Sequence, residues 1–262
     1  MSHRTRLALG FGFAAVTTLL AMVTLSLGLS VASALWPRVT HHLAFAALLE
    51  VLVYLAICAV LVPAPERPAL QLGRPPSVRV ALLAAALGVA LHGPAEFLEA
   101  TMQSWAPLPD QVLKERALRL MPESLMERAT LFALVAGCVP FVEELFFRGA
   151  LFARIQPALG VAWSAWITSL CFTVSHLEPR SWPALLCVAL TLGALRRAHG
   201  SLWPCILLHA TFNATTLAVL FSFPRSAFER AEPAPLPALI GTLASGALAY
   251  WLCAREGQAR FA

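Results

Sequence analysis

Long, uninterrupted apolar blocks limit the possible folds of this chain more than any other feature. Blocks of about 20 apolar residues match the ~30 Å hydrocarbon core of a bilayer, and helices cross it readily because lipid offers the backbone no hydrogen-bond partners. Hydrophobic residues make up 59% of the 262 residues and charged residues 13%, whereas soluble domains are roughly half apolar and a quarter charged. The sequence therefore predicts an all-α, polytopic membrane protein.

The apolar blocks predict about eight transmembrane helices, with helices 4–7 forming a central core. Their approximate ranges are 7–35, 43–62, 78–97, 129–155, 161–177, 182–195, 202–223 and 236–253. Residues 105–128 interleave charged and apolar side chains, which predicts an amphipathic segment at the membrane interface. The chain thus divides into residues 1–128 (helices 1–3 and this segment), 129–223 (the core) and 224–262 (the last helix and tail).

The charges indicate topology rather than a nucleic-acid partner. The formal net charge is +5, and most of the arginines lie between the apolar blocks or near their ends, as topology determinants do. Short loops on the N-terminal side carry more of them, so we expect both termini in the cytoplasm, and the arginine bias suggests a bacterial cytoplasmic membrane. All six cysteines fall inside apolar blocks without a C-x-x-C pair, which favours neither a disulfide framework nor a zinc knuckle.

The fourth block contains ionisable residues, which are costly inside a membrane and are functional candidates by default. Glu144 and Arg148 are spaced i,i+4 and can pair on one helix face. Glu143 is turned away from that face by about 100°. The pattern therefore predicts one structural carboxylate and a neighbouring one that is left for chemistry.

Two later blocks carry imidazole and amide groups. His176 ends the fifth block, and His209 and Asn213 share one face of the seventh. A hairpin turning near residues 157–160 would bring Glu143 and His176 to similar depth, because helices rise 1.5 Å per residue. His209 lies nearer the start of its helix, so a tilt or a re-entrant lead-in near Pro204 would be needed.

Each of these features also has a plain structural explanation. A single intramembrane histidine is commonly a packing residue, and an i,i+4 Glu–Arg pair is commonly structural. Together, three polar groups on three apolar helices favour a buried polar site. His92, Glu96 and Glu99 are expected to form an interfacial polar patch, and Gly193, Gly241 and Gly246 to permit close helix packing.

The motifs resemble those of the CPBP intramembrane proteases, named for CAAX prenyl endopeptidases and bacteriocin-processing enzymes. The family pattern is E-E-x-x-x-R, F-x-x-x-H and H-x-x-x-N or D, in that order. In this sequence the three motifs are Glu143-Glu144-x-x-x-Arg148, Phe172-x-x-x-His176 and His209-x-x-x-Asn213. The resemblance covers about residues 129–222.

The resemblance implies a metal-free glutamate endopeptidase that cleaves a membrane-anchored protein tail and needs no cofactor. Glu143 and His176 would activate a water, His209 and Asn213 would stabilise the oxyanion, and Glu144, Arg148 and Phe172 would support them. A role in C-terminal sorting of surface proteins, as in the myxosortase branch, is one expectation.

Three alternatives stay open at this point. Two histidines and two carboxylates could bind zinc, although there is no H-E-x-x-H motif. A non-catalytic scaffold or immunity protein would bind a partner without cleaving it. A proton-coupled carrier would also place Glu and His inside the membrane, but no inverted repeat is visible between the halves.

Overall fold

The computed structural model describes residues 3–36, 43–62, 72–109, 111–112, 122, 124–222 and 235–256. These residues are almost entirely helical and contain no strand, which confirms the all-α prediction. The helices are α1 (His3–Leu35), α2 (Leu43–Leu61), α3 (Val78–Ala90), α4 (His92–Trp105), α5 (Leu125–Leu131), α6 (Val139–Glu144), α7 (Phe152–Ser175), α8 (Trp182–His199), α9 (Trp203–Ser222) and α10 (Pro235–Tyr250). Three π-helical segments continue α5, α6 and α10: Phe132–Cys138, Leu145–Leu151 and Trp251–Glu256.

The number of membrane spans differs from the sequence prediction. Within the described residues, five helical stretches are long and apolar enough to cross a bilayer: Thr5–Leu35, Leu43–Leu61, Val78–Trp105, Leu125–Ser175 and Trp203–Ser222. The count of eight is therefore not confirmed. The predicted fourth and fifth helices form one continuous stretch, the sixth is α8 with arginines in its last turn, and the eighth corresponds to a shorter apolar helix, Ala238–Ala254.

The long stretch Leu125–Ser175 folds back on itself at Gly160. This residue has φ 76° and ψ 166° inside α7, a backbone conformation open essentially to glycine alone. A straight helix would separate residues 143 and 176 by about 50 Å, whereas the side chains of Glu143 and His176 approach to 4.0 Å. The predicted hairpin is thus present, with its reversal at Gly160.

The start of α9 lies inside the protein rather than at its surface. Helix α8 ends at Gly200, with φ 63°, and the following Ser201 and Leu202 are only 1% and 0% exposed. The Ser201 hydroxyl donates to the Leu72 carbonyl at 2.8 Å, which anchors this turn to the segment before α3. Because this turn is buried, His209 reaches the depth of Glu143 although it lies near the start of its helix. The sequence alone required a tilt or a re-entrant segment to explain that depth.

Helix α9 packs most closely against α3. A Cβ at Gly88 would collide with the Thr211 hydroxyl and the Leu208 carbonyl oxygen, so the backbones touch without an intervening side chain. Thr211 also donates to the Ala85 carbonyl at 3.1 Å. This contact fixes the helix that carries His209.

Large apolar side chains cover much of the outer surface. Val16 on α1 is 66% exposed and Val60 on α2 is 81% exposed, positions that suit contact with acyl chains rather than water. The protein is therefore an integral membrane protein. Residues 110, 113–121 and 123 of the predicted amphipathic segment at 105–128 lie outside the described residues. The third span continues to Trp105 rather than ending near residue 97.

Candidate active site

The two adjacent glutamates lie at the end of α6, between two π-helical segments. Glu143 is 2% exposed, and Glu144 and Arg148 are 0% exposed. A π-helical turn adds a residue to the helical repeat and shifts the faces on either side of it, and such turns are common at functional sites. Both carboxylates therefore point into the protein, although they are neighbours in sequence.

Glu144 is shared between two partners. Its Oε1 accepts from Arg148 Nη1 at 3.1 Å and lies 3.0 Å from Nδ1 of His209. Arg148 also donates from Nη2 to the Ala189 carbonyl of α8 at 3.1 Å. The predicted Glu144–Arg148 pair thus exists, and it also holds a histidine from another helix.

Glu143 lies between the two histidines. Its Oε1 is 4.0 Å from Nε2 of His176, and its Oε2 is 3.5 Å from Nε2 of His209. The acid comes from α6, His176 from the end of α7 and His209 from α9. The structure thus brings together three groups that are widely separated in the sequence.

Hydrogen-bond partners determine which ring nitrogens carry protons. A backbone carbonyl can only accept, so Nδ1 of His176, 2.8 Å from the Phe172 carbonyl, must donate, and its neutral ring then has a lone pair on Nε2. Nδ1 of His209 likewise donates to the Arg148-paired carboxylate of Glu144. His209 can donate from Nε2 as well only when it carries both protons.

Phe172 fills the space between the charged groups. The Arg148 guanidinium lies 4.6 Å from its ring centre, and the rings of His176 and His209 lie 4.7 and 5.6 Å away. At 1% exposure, this ring fixes both histidines and adds a cation–π contact to the arginine. Its position agrees with the supporting role expected from the F-x-x-x-H motif, a role that stays a prediction.

Asn213 is placed differently from the other motif residues. Its Nδ2 donates to the Val135 carbonyl at 2.9 Å, in the π-helical segment before α6. An amide nitrogen has two N–H donors, so one is engaged in fixing α9 against this segment. Its predicted role at an oxyanion depends on the second.

Glu50 and Tyr54 on α2 belong to the site, and the motifs did not identify them. Both residues line one cavity together with Ser175 and His176. Glu50 is the only acidic residue in its apolar block, a signal that alone could have identified it. Helix α2 therefore supplies a third carboxyl group.

A cavity of about 270 Å³ leads to this site between α1, α2 and the end of α7. Its walls are mainly apolar, and the His176 side chain, 31% exposed, forms part of its lining. The lining residues are Ala21, Met22, Leu25, Ser26, Leu29, Glu50, Val53, Tyr54, Ser175, His176 and Leu177. A chain segment entering here would meet His176 first, with Glu143 behind it.

The polar groups of α4 form a separate cluster. His92 stacks on Phe212 with ring centres 4.3 Å apart, its Nε2 lies 2.9 Å from the Phe212 carbonyl, and its Nδ1 lies 3.7 Å from Glu96. These contacts join α4 to α9, as a structural patch would.

Within the described part of the chain, no three His, Cys, Asp or Glu side chains are arranged to hold a metal ion. A protein zinc site needs at least three such ligands, and the zinc alternative likewise stays untested. The metal-free reaction stays a prediction.

The fold and the buried acid–imidazole cluster define a polytopic membrane protein with an enzyme-like polar site inside its helices. Residues 126–215 match the family model described as type II CAAX prenyl endopeptidase Rce1-like. The chain therefore carries a CPBP-family domain, which confirms the resemblance seen in the motifs, and this is a protease family. Neither the curated proteins nor the solved structures contain a match to the chain.

Proposed function

We propose that the chain is an intramembrane endopeptidase that hydrolyses a peptide bond in a membrane-associated protein tail. The observation that carries the proposal is the position of Glu143, with one carboxylate oxygen toward each histidine. An acid and an imidazole on either side of one small space can activate a water, and a second imidazole can bind the charge that develops.

Water activation falls to Glu143 and His176. Their facing atoms are 4.0 Å apart, too far for a direct hydrogen bond but close enough for one water to bridge both. Both atoms are acceptors when Glu143 is ionised, so they orient the two O–H bonds of that water. Glu143 takes one proton as the oxygen attacks the carbonyl carbon, and later passes it to the leaving amine.

Oxyanion stabilisation falls to His209 and Asn213. His209 can donate from Nε2 when it is doubly protonated, while its Nδ1 donates to the Glu144 carboxylate at 3.0 Å. Asn213 contributes the N–H that Val135 does not use. Removing one such donor from an enzyme costs about 10²–10³ in kcat.

The substrate class follows from the access route and the family. The cavity opens among apolar side chains of α1 and α2, which suits a lipid-anchored or helical tail better than a polar peptide. The match to a CAAX prenyl endopeptidase family suggests C-terminal tails. Processing or sorting of surface proteins in a bacterial cytoplasmic membrane is the form of this activity that we favour.

The test uses the full-length protein in liposomes with a library of membrane-anchored C-terminal tails, with products read by mass spectrometry. We expect wild type to cleave at least one tail, and both Glu143→Ala and His176→Ala to lose about 10³-fold or more in rate. Glu96→Ala is the matched control, because Glu96 is 66% exposed on another helix and should leave cleavage unchanged.

Three comparisons in this experiment distinguish the alternatives. Activity that survives a chelator supports the metal-free reaction, and chelator-sensitive activity that zinc restores would favour the metal enzyme. Unchanged cleavage in Glu143→Ala or His176→Ala would contradict the site assignment. A partner that binds every variant, with no cleavage by any, would instead indicate a scaffold.

A further inference from the structure

Leu177 has a backbone conformation that leucine rarely adopts. Its φ is 54°, whereas the other described residues with a positive φ are all glycines, namely Gly73, Gly160 and Gly200. A side chain makes this left-handed region unfavourable because its Cβ crowds the following carbonyl oxygen, and glycine has no such penalty. A strained residue of this kind persists only where the surrounding structure holds it, and such residues cluster at functional sites.

The turn at Leu177 ends α7 directly after His176. His176 still has helical backbone angles, with φ −75° and ψ −9°, and the Leu177 N–H donates to the Val174 carbonyl at 3.1 Å. Helices often end in one left-handed residue, usually glycine, and α8 does so at Gly200. The end of α7 therefore explains the conformation of residue 177 but not the choice of leucine.

The Leu177 side chain does not pack in the apolar core. It is 58% exposed and is absent from the clusters of buried apolar side chains that form the core of the described residues. It lines the cavity beside Ser175 and His176. Core packing therefore gives no reason for a leucine at this strained position, whereas a contact inside the cavity does.

A second wall of the cavity comes from α1. Met22, Leu25 and Leu29 line it and are half-buried, and their spacing puts them on one face of the helix. With Leu177 they leave an apolar space next to His176. Successive Cα atoms are only about 3.8 Å apart, so a peptide bond held at His176 would place a neighbouring side chain of the substrate in that space.

We propose that Leu177 is a specificity-determining residue, whose side chain contacts a substrate side chain beside the scissile bond and selects it by size. An apolar pocket discriminates by volume, and one methylene group too many or too few changes kcat/KM by about 10- to 200-fold. Leucine is kept at the strained position because glycine, which fits the backbone better, would leave the space empty. This role rests on the proposed protease function.

Two variants separate the backbone from the side chain. Leu177→Gly and Leu177→Ala both remove the leucine's contact, but only glycine also relieves the backbone. Leu177→Gly should therefore unfold about 2–4 °C above Leu177→Ala, whereas both should lose about 10- to 100-fold in kcat/KM on the tail that wild type cleaves fastest. Leu177→Met keeps the side-chain volume and should stay within about threefold of wild type.

Leu170→Ala is the matched control, because Leu170 is also exposed on α7, at 45%, but does not line the cavity. It should cleave every tail as wild type does. A Leu177→Gly variant with wild-type kcat/KM would show that residue 177 serves the backbone alone. A Leu177→Met variant as slow as Leu177→Gly would show that side-chain volume is not what matters. Either result overturns the proposal.

The closing experiment varies the substrate. The tail that wild type cleaves fastest is made with alanine, valine, leucine or phenylalanine at each residue flanking the scissile bond, which mass spectrometry locates. Leu177→Ala should shift the preference at one of these positions toward larger side chains, and Leu177→Phe should shift it toward smaller ones. An equal loss on every tail would overturn the selection by size and leave the protease function intact. If wild type cleaves no tail, the proposed function fails, and this role fails with it.

Discussion

Arg148 has a network of contacts that an ordinary helix pair lacks. It binds Glu144 within its own helix, the Ala189 carbonyl on α8 and the face of Phe172 on α7. In addition, Arg196 on α8 donates to the Arg148 carbonyl at 2.8 Å. One guanidinium thus joins the segment that carries both glutamates to α8 and to α7, which carries His176, and it reaches His209 on α9 only through the shared oxygen of Glu144.

Replacing Arg148 with Met should destabilise the protein by about 3–5 kcal/mol, because it leaves the buried Glu144 carboxylate without its cation. The measurement is thermal or denaturant unfolding in detergent, with Arg154→Met as the matched control. Arg154 lies in the exposed part of the same chain segment, so its loss should change stability by less than about 0.5 kcal/mol. Equal stability of the two variants would contradict this assignment.

The sequence predicts which motif residues converge in the structure but not all of their contacts. Glu143, His176 and His209 converge because the motifs record residues that must meet. The bond from Asn213 to Val135 was not predictable, since nothing in H-x-x-x-N specifies a backbone partner on another helix. Glu50 carries a readable signal, a lone acid in an apolar block, but no periodic pattern indicates what it faces.

Among the contacts between helices, the one between α3 and α9 leaves the least room for an added side-chain atom. The Cβ of an alanine at Gly88 would occupy the positions of the Thr211 hydroxyl and the Leu208 carbonyl. Of the glycines expected to allow close packing, Gly193 and Gly241 do so, with atoms of other helices within 3 Å of a Cβ, whereas Gly246 has nothing within 4 Å. That expectation was wrong for Gly246, because the sequence of an apolar helix does not show whether a glycine faces another helix or the outside.

Gly88→Ala should lower the free energy of unfolding by about 1–3 kcal/mol through overpacking. It should also reduce kcat, because His209 directly follows Leu208 and is displaced when the new Cβ pushes α9 away. Gly246→Ala is the control, and it should be neutral or slightly stabilising since alanine favours helix by up to about 1 kcal/mol. Unfolding in detergent and the tail-cleavage rate measure the two effects. A Gly88→Ala enzyme with wild-type rate and stability would show that α3 and α9 can separate freely.

The hairpin was predictable at the level of elements, but its local geometry was not. Residues 157–160 contain a proline and a glycine, the usual signals of a turn. The π-helical segments on either side of α6 have no such signal, because the block around them is apolar on nearly every face and a shift of one residue is not visible in it. They are set by tertiary packing around the glutamates.

At the scale of the whole molecule, the outer surface is apolar and the polar groups lie inside. Trp166 is 52% exposed on α7, whereas Trp203 packs against the central apolar cluster. The count of eight spans stays a prediction, because apolar blocks alone do not separate helices that face lipid from helices that line the interior, such as α8. Composition is enough to predict a membrane protein, whereas the number of spans can be counted only when the packing of the helices is known.

Quenching by lipids with brominated acyl chains should distinguish these surfaces. Trp166→Phe should remove part of the quenchable tryptophan fluorescence, because that ring faces the acyl chains. Trp203→Phe should remove fluorescence that is poorly quenched. The measurement is the quenchable fraction of each variant in liposomes against wild type, and equal fractions in both variants would contradict the proposed lipid-facing surface.

The shared oxygen of Glu144 restricts how related chains can diverge. An isolated i,i+4 ion pair can be inverted, acid for base, with little loss. Here the same oxygen also accepts a hydrogen bond from Nδ1 of His209, and an arginine at position 144 would present a second donor to that ring. The order of acid and base along this helix is therefore fixed by a side chain 65 positions away. A double substitution that exchanged the acid at 144 and the base at 148 would not preserve the contact with His209.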